Sequence, residues 1–571
     1  MNVRCKFISV TSFLFLIGLA ACAKKKVVAD NKQPNFLVIM VDDMGYSDPG
    51  CYGGEIQTPN LDNLANNGLR FTDFHNCARS SPSRASLLTG VYPHEAGMPN
   101  IGRSLTPNVV TLAEVLKQGG YQTGMTGKWH LSRTQSYVKE SKELKSSSEE
   151  MMKWVSHQTD HGDFAPLESY PSNRGFDEHY GVIWGVINHF DPFSLVHNEE
   201  PIKEVSEDFY FTDFINDKSV ELIEQFGEND RPFFLYVAHS APHWPLHAPK
   251  EDIMKYKGLY DDGWDSLRVR RYRRMVEMGL FDSKTAPLAA ASLSGEKTSL
   301  DPTVGHLSWE EYEHKEWETN HMEVHAAMVD RVDQGIGMII QKLKETGQFD
   351  NTLIIFLSDN GASPERRGKK PGGHRSKYMR NGNELYWITE EKDTIPPGSE
   401  ETYGFLGKNW TGAVNSPFRY WKGESYEGGT STPFIVHWPA GLKTEPGSIT
   451  SQFGHVMDVM PTFLELAGID YPQKYNENTI IPHSGKSLVP IFEGRTREGH
   501  EAIFWEHIGG KAVRKGDWKI SALRDGDWEL FNIREDRTET NDLSEKFPEK
   551  IEELEQEWER WYDKMKSYAI Q

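Results

Sequence analysis

The stretch "NFLVIMVDD", residues 35–43, decides the fold class. Its apolar run is unbroken and then stops at two carboxylates. A strand with one wet face alternates apolar and polar side chains; this one does not, so both of its faces are expected to be buried. The stretches "RPFFLYVAHSAPH" (231–243), "NTLIIFLSDNG" (351–361) and "TPFIVHWP" (432–439) repeat the pattern. Helical segments lie between them. "TLAEVLKQGGY" places Thr111 and Glu114 at capping-box spacing and Gly119 as a stop. Met328, Val332, Ile336 and Leu343 share one helical face that ends near Gly347. Strands alternating with helices predict an α/β fold, with a large, mostly parallel central sheet flanked by helices.

The polar residues sit where these runs end. In open α/β sheets, ligands bind outside the carboxyl ends of the strands. Asp42, Asp43, His243, Asp359 and Asn360 are therefore expected to converge, although they are far apart in sequence. A single Asp after a strand is ordinarily a turn or cap residue. Three carboxylates and an amide at two strand ends form an all-oxygen set. That set suits one hard cation, Ca²⁺ or Mg²⁺, better than zinc.

The bulk properties exclude some classes. A chain of 571 residues exceeds one small core, and 37% hydrophobic with 26% charged residues is ordinary globular composition. A net charge of -21 argues against a nucleic-acid binder built on phosphate contacts, but not against a local basic pocket for a small anion. Of the four cysteines, Cys51 and Cys77 are free to pair in an oxidising compartment, and no zinc spacing is present.

Arg4 and Lys6 precede an apolar run over residues 7–21, too short for a comfortable membrane span. It ends in Leu19-Ala20-Ala21-Cys22, which resembles a bacterial lipobox. The expectation is a lipoprotein signal peptide over 1–22 with Cys22 lipidated, a tether over 23–33, and an exported protein anchored to a bacterial membrane by acyl chains. A catalytic domain is expected over 34–500. From 501 to 571, short strands with Gly-Asp turns and a terminal helix predict a smaller α+β subdomain. The polar, Trp- and Arg-rich region around 251–320 reads as an insertion near the site.

The stretch "RSSPSRASLLTG", residues 79–90, reads locally as a turn entering a helix. Its company says more. "VDDMGYSD", "GKWHL", "PHWPLHAP", "SDNGA" and "YWKGESYEGGTSTP" follow one another in the chain. Together these motifs resemble the formylglycine-dependent sulfatases of the alkaline phosphatase superfamily, especially arylsulfatase-like members. The signature is Cys or Ser followed by x-Pro-x-Arg and then Leu-Thr-Gly. Here that is Ser80-Ser81-Pro82-Ser83-Arg84 with Leu88-Thr89-Gly90, so Ser80 is the candidate nucleophile. The resemblance assigns Asp42, Asp43, Ser80, Asp359 and Asn360 to one Ca²⁺ (or Mg²⁺). It assigns Arg84, Lys128, His130, His243 and Lys422 to catalysis. Ser431 departs from the pattern, since many relatives carry Arg there.

The resemblance implies that Ser80 is oxidised to Cα-formylglycine, whose hydrate attacks sulfur and expels the alcohol. His130 then takes a proton so that sulfate leaves. Arg84 and Lys128 would stabilise the hydrate, and either His243 or Lys422 would protonate the leaving oxygen. The serine form implies an anaerobic radical maturase as a transient partner. The expected substrate is a sulfated small molecule or saccharide. Aromatic residues over 175–193 are candidates for stacking on a ring, or for the core. His239 and His247 read as structural or substrate-facing. Two readings compete: a two-zinc phosphatase or phosphodiesterase of the same superfamily, and a non-catalytic glycan-binding lipoprotein.

Overall fold

The computed structural model describes residues 1, 33–133, 165–291, 308–366, 379–388 and 395–569. The signal peptide and tether, Cys22 included, lie outside the described residues except for Met1 and Gln33.

The strands of the central sheet, in chain order, are β1 (Asn35–Asp42), β2 (Leu69–Phe71), β3 (Gln122–Lys128), β4 (Glu178–Val182), β5 (Leu195–His197), β6 (Glu200–Pro201), β7 (Phe233–Pro242), β8 (Thr352–Ser358), β9 (Phe434–His437) and β10 (Ser448–Thr450). They hydrogen-bond in the order β10-β2-β9-β8-β1-β7-β3-β4-β5-β6. The inner five, β8-β1-β7-β3-β4, are all parallel. β9 runs antiparallel to both of its neighbours. Its sequence is as apolar as the others, and apolarity on both faces carries no information about strand direction.

Both faces of β1 are sealed. Leu37, Ile39 and Val41 pack into one core with Leu235, Val237 and Phe356. Phe36, Val38 and Met40 pack into the other with Phe234, Tyr236 and Leu357. Each such side chain contributes about 1.5–3 kcal/mol on burial. The covering helices include α1 (Ser80–Thr89), α2 (Leu112–Gln118), α3 (Phe211–Phe226), α4 (Gly263–Glu277) and α5 (Lys315–Glu345). The α2 capping box is formed as expected: Thr111 accepts from the Glu114 backbone N–H and Glu114 bonds back to the Thr111 N–H.

The region expected to be an unperiodic insertion contains helix where it is described: a short helix over Lys250–Lys255, α4 and the start of α5. α4 buries Trp264 and Leu267 but also Arg268 and Arg271. Arg271 reaches Asp48 and Glu55 at 2.7 Å each, and Arg268 reaches main-chain carbonyls. Buried arginines on the inward face hide the apolar stripe from a sequence reading.

Near the C-terminus, β11 (Ile503–His507), β12 (Gly510–Lys515), β13 (Trp518–Ala522) and β14 (Glu529–Asn532) form an antiparallel meander. The helix α6 (Pro548–Ala569) packs Leu554, Trp558 and Met565 on it. A buried ionic network links this sheet to the larger one. Asp73 meets Arg514 at 2.8 Å, Glu427 meets Arg537 and Lys519, and Glu539 meets Lys519 at 2.8 Å. Three carboxylates answer three cations, so this cluster is an ionic joint although His75 brings a third metal-ligand type to Asp73 and Glu427. Burial opposes ionisation of Asp73, but Arg514 and Arg537 hold its carboxyl well below the usual range. Its stabilising contribution is therefore full above the ordinary carboxylate range and is lost as pH falls through the depressed value. Ser431 belongs to the same joint: it donates to Glu427 at 2.7 Å and accepts from Arg537 at 3.0 Å. Cys51 and Cys77 are both buried and unpaired, so they form no disulfide.

Candidate active site

Four of the five parallel strands of the centre deliver polar residues at their carboxyl ends. β1 shifts register against β7 between Met40 and Asp42, so Asp42 pairs with Pro242 where the ladder ends and Asp43 lies just beyond it. Asp43 takes a left-handed backbone with φ 66°. Asp359 and Asn360 follow β8, and the Asp359 N–H is held by the Val41 carbonyl at 3.0 Å. Lys128 ends β3, and His130 follows at φ 59°, a conformation rare for a side chain of its size. His243 follows β7.

Ser80 opens α1. Its hydroxyl donates to Asp42 Oδ1 at 2.9 Å and lies 3.2 Å from Asn360 Oδ1. Pro82 falls within the first helical turn, where a missing N–H costs nothing. Asn360 Nδ2 and Lys422 Nζ each reach Asp43 Oδ1 at 2.6 Å. Lys128 Nζ pairs with Asp42 Oδ2. Arg84 clasps Asp359 Oδ2 through Nε at 3.0 Å and Nη2 at 2.9 Å, and donates to the Lys128 carbonyl at 3.0 Å. His243 Nδ1 bonds the Trp244 carbonyl at 2.6 Å, so it carries the proton there and turns Nε2 toward Asp43 Oδ2, 3.5 Å away.

All ten expected site residues are thus in one place. Asp42, Asp43, His243, Asp359 and Asn360, with Ser80, Arg84, Lys128 and Lys422, form one connected set of contacts. His130 joins it through the chain after Lys128 and through Ser81, whose hydroxyl donates to the His130 carbonyl at 2.8 Å. His239 and His247 are fully buried. His247 bonds the Thr402 carbonyl at 2.6 Å, a structural role.

The electrostatics follow from burial. Asp42 is driven by burial toward its neutral form, but Lys128, His243, Arg84 and Lys422 together hold it well below the usual range. For Asp359, burial and then the charge of Asp42 prevail over Arg84 and push it up to about 7. Burial lowers Lys128 against the pull of Asp42. Burial and Lys128 hold His130 far below its ordinary value, and burial holds His243 down to about 4 although Asp43 opposes it. Both imidazoles are therefore neutral near pH 7 and able to accept protons.

A cation fits this set. Asp43 Oδ2 is buried without a hydrogen-bond partner. It faces an imidazole lone pair, and two acceptors turned toward one another need a positive charge between them. Ligand atoms of Asp42, Asp43 and His243 all lie within 4.8 Å of one another. The convergence of His243 with the strand-end carboxylates is the one expected from the sequence, and it adds a nitrogen to the expected all-oxygen set.

Two residues escaped the sequence reading. Ser81 ties the helix start to His130. Gly185, in the loop after β4, presses on the His130 ring: a Cβ there would fall 2.2 Å from Nε2 and 2.4 Å from Cε1. Neither carries a motif signal, because both contacts are tertiary.

The chain is similar to known proteins along most of its length. The Sulfatase family model matches residues 34–469, and the model for the C-terminal part of N-sulphoglucosamine sulphohydrolase matches residues 419–566. An uncharacterised sulfatase of Schizosaccharomyces pombe, PB10D8.02c, is 32% identical over 578 aligned positions, covering 93% of each chain. An arylsulfatase of Klebsiella aerogenes is 30% identical, covering 82% of this chain and 94% of its own. The crystal structure of Ps i-CgsB in complex with k-i-k-neocarrahexaose aligns with TM-score 0.61 at 25% identity, covering 93% of each chain. With its acidic strand ends gathered around the N-terminus of a buried helix, and with a family match that spans most of its length, this chain belongs to the sulfatase family of the alkaline phosphatase superfamily and is a metal-dependent sulfuric ester hydrolase.

Proposed function

We propose that the protein removes sulfate from sulfated saccharides or aryl sulfates, with Ser80 converted to formylglycine as the reacting residue. The observation that carries this reading is the Ser80 hydroxyl, buried on Asp42 and Asn360 at the focus of the acidic strand ends. Ser80 Oγ stands in for an oxygen of the modified residue. Formylglycine supplies, when hydrated, an oxygen nucleophile and a route by which sulfate can leave. A divalent cation, Ca²⁺ in our reading, would be held by Asp42, Asp43, Asp359 and Asn360 with His243 beside them, and would supply Lewis-acid polarisation when bound.

The chain's own residues do the rest. Arg84 and Lys128, sealed from water, offset negative charge around residue 80 and hold Asp359 and Asp42 in place. Lys422 and His243 both reach Asp43, and the leaving oxygen takes its proton from Lys422, since His243 is neutral and has its one N–H on the Trp244 carbonyl. His130 accepts a proton at Nδ1, which is buried without a hydrogen-bond partner. The lipobox-like Cys22 supports an exported, lipid-anchored enzyme, and the serine form of the signature supports maturation by an anaerobic radical enzyme. Saccharide substrates are supported by the k-i-k-neocarrahexaose named with Ps i-CgsB. Sulfate release from a panel of sulfated mono- and oligosaccharides, with 4-nitrophenyl sulfate alongside, tests the reading. Turnover of at least one saccharide is expected. Phosphate release from phosphate monoesters in place of sulfate release would support the two-zinc reading instead.

The placement of His130 gives a sharper test. Gly185 lies outside the left-handed backbone region, so the obstacle to a side chain there is steric, and the atoms nearest to it are those of the His130 imidazole. Gly185→Ala is expected to displace the ring and slow turnover by about 10²-fold, because a shift of roughly 1 Å has that effect on an oriented group. The loss should take the form of a burst of alcohol followed by slow steady-state release, as for His130→Ala. Equal slowing of the burst itself would assign His130 elsewhere.

A further inference from the structure

Arg79 is buried, with 7% of its surface exposed, and it immediately precedes Ser80. Its Nη1 is sealed from solvent and has no hydrogen-bond partner, and no carboxylate pairs with it among the described residues. Other buried arginines are answered. Arg84 has Asp359, Arg271 has Asp48 and Glu55, and Arg268 has the carbonyls of Ala289 and Phe418. An uncompensated buried guanidinium is strongly unfavourable unless an anion joins it.

Arg79 is flanked by a neutral imidazole and by a lysine that is already paired. It caps α1 in an extended conformation, φ -149° and ψ 143°, without a side-chain bond to the helix. The Gly423 N–H donates to the Ala78 carbonyl at 2.8 Å, which lays the Lys422–Gly423 segment against the chain entering the helix. His507, the last residue of β11, is buried beside them. Burial and then the charge of Arg79 hold its imidazole down to about 3, with Lys422 adding to the effect, so it stays neutral and offers no counter-charge. Lys422 is already engaged by Asp43. That leaves Arg79, among the described residues, without a carboxylate partner and next in sequence to the reacting residue.

We propose that Arg79 receives a second anionic group of the substrate, a carboxylate or further sulfate carried near the sulfate that is cleaved. The inference rests on the sulfatase reading of Ser80. A guanidinium presents a planar fork of donors that matches two oxygens of either anion, and its charge persists at any working pH. The protein would then prefer polyanionic substrates to singly charged ones.

The test uses the Ca²⁺-loaded full chain with unmodified Ser80, so that binding is read without turnover. Calorimetry compares phenyl sulfates carrying a carboxylate ortho, meta or para to the sulfate with their methyl esters. At least one carboxylate isomer is expected to bind roughly tenfold or more tightly than its ester. Arg79→Gln should erase that preference while leaving the esters' affinities in place, and Arg79→Lys should restore part of it. The proposal is overturned if no isomer is preferred over its ester, or if the preference survives in Arg79→Gln. It also fails if Arg79→Gln weakens acid and ester by the same factor, which is the mark of a purely structural role. Failure of the sulfatase reading looks different: matured protein would release no sulfate from any probe, while the affinity ratios would still decide the role of Arg79.

Discussion

Replacing Ser80 by Ala is expected to abolish sulfate release in every expression host, because the substitution deletes the hydroxyl that maturation must oxidise to an aldehyde at Cβ. The fold should persist. The lost contact is one hydrogen bond to Asp42 at 2.9 Å, worth about 1 kcal/mol, against a sheet whose two faces are fully packed. Ser80→Cys should behave differently, since the family signature accepts cysteine. It should regain activity when produced with a maturase that accepts cysteine, including in aerobic cells. The serine protein should be inactive there unless a serine-competent radical maturase is supplied. Sulfate release measured across these variants and hosts checks the pattern. If Ser80 only shaped the entry to α1, the three proteins would differ little and the host would not matter.

Asp359→Asn should have an effect of similar size by another route. Asp359 holds Arg84 through two nitrogens and accepts from the Asp43 N–H at 3.4 Å, so it links the acidic set to Arg84. The amide keeps the shape but removes the charge. A loss of about 10³-fold or more in kcat/KM is expected, since one preorganised electrostatic contact commonly carries 10²–10³ and here metal binding weakens as well. Stability should also fall, because Arg84 is left buried with a neutral partner. Chelation of wild-type protein should abolish activity, with recovery on adding Ca²⁺. Burial and Asp42 raise Asp359 to about 7 in the absence of a cation, so protons compete with the cation. More Ca²⁺ should therefore be needed to restore activity at pH 5 than at pH 8. Two zinc ions in elemental analysis of active protein would contradict this account.

Much of this was legible in the sequence for a physical reason. A strand buried on both faces must be apolar throughout, so a carboxylate at its end stands out. Asp42, Asp43, Asp359 and Asn360 could be read that way, and the capping box at Thr111 is a local pattern that needs no tertiary context. The direction of β9 could not be read, because parallel and antiparallel pairing bury the same side chains. α4 was missed because Arg268 and Arg271 occupy inward positions through partners at Glu55 and Pro417–Phe418, contacts that no local window contains. Gly185 against His130 is likewise a meeting of two loops 55 residues apart, and a glycine whose role is to leave room has no pattern of its own.

The central claim is that Ser80 becomes the reacting residue, and mass spectrometry of the peptide spanning it, taken from protein with measured sulfatase activity, tests this most directly. The account predicts a peptide lighter than the encoded one by two hydrogen atoms, in proportion to specific activity across preparations. Full activity in protein whose Ser80 peptide has only the unmodified serine mass would contradict it.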